Sequence, residues 1–174
     1  FEENGANPHH QNTDRKLKKW DQILLDFGST LGGYCSDMTR ILFTDTPTDL
    51  QREILDLLIS TTESAIKYGK VGMKFSELHR YAANTLWKYK KYFTHSLGHG
   101  VGRDIHELPN VSPRRHGNIR EWMVFTIEPG IYMPGKIGSR YEQIVVVEDG
   151  KLRNVTKARE RIQIDLQDKQ RLDE

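Results

Sequence analysis

What the sequence lacks bounds it first. A single cysteine, Cys35, excludes an internal disulfide framework and leads us to expect a cytoplasmic protein. Long hydrophobic runs are missing. The longest, such as 23–27 (broken by Asp26) and 144–147, are far too short to span a bilayer, so no membrane partner is expected. A dominant charge sign is missing as well. Lys and Arg number 26 against 24 Asp and Glu, and a formal net charge of +2 gives no argument for binding nucleic acid. The start, Phe1-Glu2-Glu3-Asn4, is acidic and polar, unlike a signal peptide, and an initiator Met is absent. These last features lead us to expect that the chain belongs to a longer polypeptide.

What is there fits one domain with a real core. The polar segment 1–20 reads as loop, with 15–19 a solvated basic stretch. The run 23–27 reads as a buried strand, Gly32-Gly33 as a turn, and 34–43 as a second strand. Thr48 and Gln51 form a capping-box pattern, and a helix is expected over 48–69, ended by Gly69. Ser76 is the expected cap of a second helix over 76–90. A Gly-rich loop spans 95–102. Strands are predicted over 122–127 and 139–147, and Asp149-Gly150 turns the chain into a third. Residues 166–174 read as a solvated end. Two sheet-like parts separated by a helix pair predict an α+β domain over residues 1–174.

The informative residues are acids in the wrong company. A carboxylate inside an apolar strand costs on the order of several kcal/mol unless it is paired or metal-bound. Asp26 lies in Ile-Leu-Leu-Asp-Phe-Gly and Glu128 in Phe-Thr-Ile-Glu-Pro-Gly, each with a glycine two residues on. Each is succeeded by a second acid on a returning strand, Asp37 and Glu142. Two similar hairpins, each with two inward acids, imply an internal duplication with a pseudo-twofold axis. Four converging carboxylates repel without a counter-charge, and two divalent cations would supply it. The segment from His95 to Gly102 offers imidazoles, His95 and His99, with alternating glycines. One imidazole among oxygens favours Mn²⁺, Co²⁺ or Fe²⁺, with Zn²⁺ also compatible.

The stretches LLDFGSTLGGYCSDMTR (24–40), HSLGHGVGRDIHELP (95–109), FTIEPGIYMPG (125–135) and GSRYEQIVVV (138–147) resemble the Xaa-Pro dipeptidase and aminopeptidase P branch of the pita-bread metallopeptidases. GANPHH (5–10) resembles that family's segment bearing an upstream histidine. The resemblance implies a pita-bread fold and a peptidase that removes an N-terminal residue preceding proline, chiefly from dipeptides. A hydroxide bridging two metals would attack the scissile carbonyl. It implies that Asp26 binds one metal, Asp37 and Glu142 bridge both, and His99 and Glu128 bind the second. Glu128 would also pass protons, and His95 and His106 would contact the substrate carbonyl and oxyanion. His9 would line the pocket. Arg140, two residues before Glu142, would hold a ligand carboxylate. The full-length protein would be a homodimer.

Rival readings are a methionine aminopeptidase, a pita-bread binding module without activity, and metal-free chemistry of the creatinase type. Gln143 departs from the family, which often has Asp there. His10, His79 and His116 read as surface residues, Cys35 as packing, and Tyr132 as either core or hydrogen-bond donor. The first half has no room for its own helix pair, and the family's N-terminal domain is absent. Helices 48–69 and 76–90 would therefore cover the second half only, leaving Ile23 and Leu25 exposed and the isolated chain prone to associate.

Overall fold

The computed structural model describes residues 2–7, 13–114, 116–160 and 162–163, the last two by backbone only. His9, His10 and the segment 166–174 lie outside the described residues. The chain forms β1 (Gln22–Phe27), β2 (Thr30–Leu31), β3 (Tyr34–Cys35), β4 (Met38–Phe43), α1 (Asp49–Tyr68) and α2 (Phe75–Thr85). It continues through β5 (Gly98–Gly100), β6 (Glu107–Val111), β7 (Val124–Ile127), β8 (Gly130–Met133), β9 (Ile137–Arg140), β10 (Gln143–Glu148), β11 (Lys151–Asn154) and β12 (Ile162–Gln163). Short 3-10 turns cover Glu2–Ala6 and Trp87–Tyr92.

Two larger sheets carry the domain, ordered β1-β4-β12 and β11-β10-β7-β5-β6. Their internal plans match. β1 pairs antiparallel with β4, and β7 with β10. Each pair is interrupted by a small hairpin, β2–β3 in one and β8–β9 in the other. This is the duplication expected from the spacing of the acids.

The expected strands 34–43 and 139–147 are each split in two. At the first split, the Ser36 amide leaves the β1–β4 ladder to donate to the Ser29 carbonyl. At the second, the Tyr141 amide donates to Pro129, and the Glu142 amide donates across to Thr39. Asp37 and Glu142 occupy these gaps, where the backbone turns aside from the ladder and the side chain can enter the site.

α1 begins as the sequence predicts. Thr48 Oγ1 accepts from the Gln51 amide, and Gln51 Oε1 accepts from the Thr48 amide. α2 does not begin at Ser76. Lys74 is the capping position and makes no side-chain cap. The Phe75 amide donates instead to the Gly117 carbonyl, because buried Phe75 docks the helix start against that loop. His79 is a further correction: it is buried, not at the surface. Its ring stacks on Phe93 with centroids 5.2 Å apart, and burial lowers its pKa. Arg15 is likewise no freely solvated cation, being paired with Asp21 at 2.7 Å and Glu3 at 2.8 Å.

Two hydrophobic clusters sit beneath the helices. The C-terminal part of α1 joins α2, Phe125, Ile127, Val145 and Val147. The N-terminal part of α1, through Ile54, Leu55 and Leu58, packs on Ile41 and Phe43 of β4 and on Ile131 and Ile137 of the second hairpin. The helices therefore reach the first half too, contrary to expectation. Each fully buried aliphatic side chain contributes about 1.5–3 kcal/mol. Ile23 is buried after all, whereas Leu25 is exposed as expected. No helix among the described residues is long and apolar enough to cross a membrane.

Candidate metal centre

Asp37, His99 and Glu142 each present a ligand atom within 4.8 Å of the others. Asp37 and Glu142 come from the two strand gaps, and His99 from β5. His99 Nδ1 lies 3.0 Å from the Gly100 carbonyl, which places the ring proton on Nδ1. Nε2 then turns its lone pair inward, 3.5 Å from both Asp37 Oδ2 and Glu128 Oε1. Glu128, just beyond β7, is thus the fourth member. Asp26 lies on the more open side and is drawn to Arg140, whose guanidinium donates to its Oδ2 at 2.5 Å. The cleft measures about 740 Å³ and is also lined by Thr94, His95, Ser96, His106 and Asn110. A larger, more apolar groove of about 850 Å³, lined by Leu108 and Trp122, contains none of the five candidate ligands.

A layer of hydrogen bonds orients the acids. Thr39 Oγ1 donates to Glu142 Oε2 at 2.7 Å and accepts from Arg140 Nε at 2.9 Å. Thr126 Oγ1 accepts from the His99 amide and donates to Glu128 Oε1 at 3.2 Å. Tyr132 links Arg140 to His95: its hydroxyl accepts from Arg140 Nη1 at 3.3 Å and lies 3.1 Å from His95 Nε2. His95 Nδ1 sits 2.7 Å from the Ser96 carbonyl, so Nε2 is the acceptor for the Tyr132 hydroxyl. His106 packs on His99 with ring centroids 4.2 Å apart. Sequence reasoning missed Thr39 and Thr126. Their signal was available, since each lies two residues from a candidate ligand along an extended chain, and so on the same side.

The glycines two residues after Asp26 and Glu128 serve close approach rather than a left-handed turn. A Cβ on Gly28 would lie 1.9 Å from the Ser36 carbonyl oxygen, and one on Gly130 would lie 2.8 Å from His95 Nε2. Gln143 has a structural task. Its Oε1 accepts from Arg40 Nη2 at 2.9 Å, while Arg40 Nη1 donates to the Thr39 and Glu142 carbonyls. Arg40 therefore ties the two gaps together.

The acids of the site crowd one another. Burial, then the neighbouring Asp26 charge, pushes Asp37 up to about 6. Burial and the mutual proximity of acids raise Glu128 and Glu142 as well. Glu142 Oε1 is buried with no hydrogen-bond partner, an oxygen left over for a ligand. The donor set of four carboxylates and one imidazole fits hard or borderline divalent ions.

Comparison with known proteins shows the family and the fold. The Xaa-Pro dipeptidase of Pyrococcus furiosus is 37% identical over 154 residues, covering 87% of this chain and 44% of that protein. The Xaa-Pro dipeptidase of Lactobacillus helveticus is 39% identical over 150 residues, covering 84% of this chain and 41% of that protein. Among solved structures, a dipeptidase from Pyrococcus horikoshii OT3 superposes with a TM-score of 0.89 at 42% identity. An X-Pro aminopeptidase from Thermotoga maritima MSB8 gives 0.89 at 34%. Each superposition covers 94% of this chain and 47% of the other. The chain spans less than half the length of these relatives, and its architecture is the pita-bread fold they share. Residues 1–149 match metallopeptidase family M24, and the chain belongs to that family.

Proposed function

We propose that the protein hydrolyses the bond between an N-terminal residue and a proline in second position, using two divalent ions, Mn²⁺ or Co²⁺ foremost. Xaa-Pro dipeptides are the substrate class to which the relatives' names point. The observation that carries this reading is the convergence of Asp37, His99 and Glu142 around a buried, unpartnered Glu142 oxygen. Asp26, Asp37, His99, Glu128 and Glu142 hold the ions, which when bound supply Lewis acidity and an activated water at neutral pH.

The remaining chemistry falls to the chain. Glu128 keeps Oε1 beside His99 and Thr126 and Oε2 near Arg140, and is the group assigned to pass a proton between the attacking water and the leaving amine. His95 and His106 line the cleft beside the ligands and are assigned to the scissile carbonyl and oxyanion, His95 acting as the imidazolium, whose Nε2–H replaces the lone pair that otherwise accepts from Tyr132. Arg140 and Tyr132 fix the orientations of Asp26 and His95. His9 remains assigned to the pocket lining. The full-length protein acts as a cytoplasmic homodimer.

The test is metal analysis of the full-length protein with a substrate panel. Hydrolysis of Met-Pro and Leu-Pro with little attack on Met-Ala is expected. Preference for Met-Ala would make it a methionine aminopeptidase, and full activity in excess chelator would remove the metal mechanism.

A further inference from the structure

We propose that Asn110 reads the group on the C-terminal side of the substrate proline and selects a continuing peptide chain over a free carboxylate. This rests on the peptidase reading above and extends its substrate class from Xaa-Pro dipeptides, still cleaved, to longer Xaa-Pro peptides, cleaved better. β6 is the outermost strand of its sheet, beside β5 and away from β7 and β10. Asn110 stands directly across from His99 in register and lines the same cleft. Its Oδ1 is enclosed and has no hydrogen-bond partner, a cost of about 1–3 kcal/mol that a bound ligand would relieve.

Charge sets which end of the substrate arrives there. The free ammonium of a peptide is drawn to the acids, with Asp26 at the open side. The proline side then extends past His99 towards Thr94, His95, His106 and Asn110. In a dipeptide the carboxylate hangs on the proline Cα, one bond from the scissile nitrogen. Among the described residues lining the cleft, the one permanent cation is Arg140. It is already engaged with Asp26, Thr39 and Tyr132. With the four acids cancelled by the two ions, a proline carboxylate finds no ammonium or guanidinium of its own among the described residues of this wall. A peptide amide finds a matching carboxamide, which accepts from its N–H and donates to its carbonyl.

The experiment compares kcat/KM for Leu-Pro and its C-terminal amide in the metal-loaded, full-length enzyme. The wild type should favour the amide. Asn110→Arg should shift the ratio about tenfold towards Leu-Pro, mainly through KM, as a charge-assisted bond replaces a neutral one. Asn110→Asp should shift it the other way. A wild type that favours free Leu-Pro, or a ratio unmoved in both variants while metal is retained, would overturn the proposal. Failure to cleave either substrate would instead overturn the peptidase reading.

The tryptophans carry an independent inference. Trp20, Trp87 and Trp122, all that the sequence contains, have φ of +69°, +48° and +65°. They are 57%, 80% and 73% exposed. Trp20 and Trp122 close the turns that feed β1 and β7, each six residues ahead of its acid (20 to 26, 122 to 128). Trp87 comes directly after Leu86, the cap of α2, where helices commonly end on a left-handed glycine. The left-handed region costs a residue with a side chain about 1–2 kcal/mol, and a bulky aromatic there is a rarity. Three of three has one economical cause. UGA, read as stop or tryptophan in most codes, is one base from the glycine codon GGA.

We infer that all three codons are UGA and that the producing cell reads UGA as glycine, so the natural chain carries glycine at positions 20, 87 and 122. The gene sequence and the intact mass of protein from its own cells test this. Three UGA codons and a mass lowered by three tryptophan-to-glycine exchanges are expected. A UGG codon at any of the three, or tryptophan in the native protein, would overturn it. So would a chain bearing Trp20→Gly, Trp87→Gly and Trp122→Gly that melts below the tryptophan form.

Discussion

The β1–β4 half and the β7–β10 half place their acids by the same device, one carboxylate at the end of a strand and one in the gap after a hairpin. They differ in how they meet water. In the second half, Phe125 and Ile127 are fully buried, and every residue of β8 and β9 is buried. In the first, Leu25 is 40% and Phe27 48% exposed, and Leu31 and Tyr34 of the small hairpin lie open. The layout of these acids is thus set by local backbone pairing and by links between halves, such as Arg40, rather than by equal packing on both sides. The open apolar surface of the first half is what the sequence led us to expect, though it begins further along β1 than Ile23.

Four experiments would break or sharpen that contrast. The largest effect is expected at the gaps, where the halves should be equivalent. Asp37→Asn and Glu142→Gln should each abolish hydrolysis by the full-length enzyme, and metal content measured by elemental analysis should fall with them. Loss from one variant alone would make the halves unequal in chemistry as well. Next come the strands. Phe125→Ala should cost about 3–5 kcal/mol in denaturant unfolding, whereas Phe27→Ala should stay within about 0.5 kcal/mol. Equal costs would mean that Phe27 is covered in solution.

Metal should come third in size. At about 100 times its dissociation constant, a divalent ion should add roughly 2.7 kcal/mol per independent site. A melting temperature indifferent to Mn²⁺, Co²⁺ and Zn²⁺ would remove the ion from the site that joins the halves. The smallest effect is the pH dependence of the metal-free chain. Asp37 is raised from 3.8 to about 6, so the folded form binds more protons than the unfolded form across that window. Stability should be greatest below pH 3.8 as far as this group is concerned, and should fall as pH rises through 6, by at most about 1.4 kcal/mol per unit. A rise across that window would show that Asp37 is paired without metal.

The hairpins, the capping box of α1 and the meeting of the candidate ligands were legible because each leaves a local mark: an acid in an apolar run, a glycine after it, a Thr three residues before a Gln. What was not legible depends on partners distant in sequence. Thr39 serves Glu142, more than a hundred residues away, and Arg40 bridges carbonyls from both halves. His79 looked like a surface residue because nothing nearby in sequence announces that Phe93 will stack on it. Ser76 looked like a cap because sequence cannot show that Gly117 already accepts from the Phe75 amide. The placement of His9 lies outside the described residues, so its assignment to the pocket rests on resemblance.

α1 contributes to both hydrophobic clusters, its first half beneath β4 and its second beneath the five-stranded sheet. A rod of 20 residues, about 30 Å long, is stiff on that scale. Neither half can swing away without bending the helix or surrendering one of the two cores. The candidate ligands thus inherit a mechanical coupling that no bond between them supplies. The distance from Asp37 to Glu142 is held by a beam on the far side of the sheets, and thermal motion should move the two gaps together before it moves them apart.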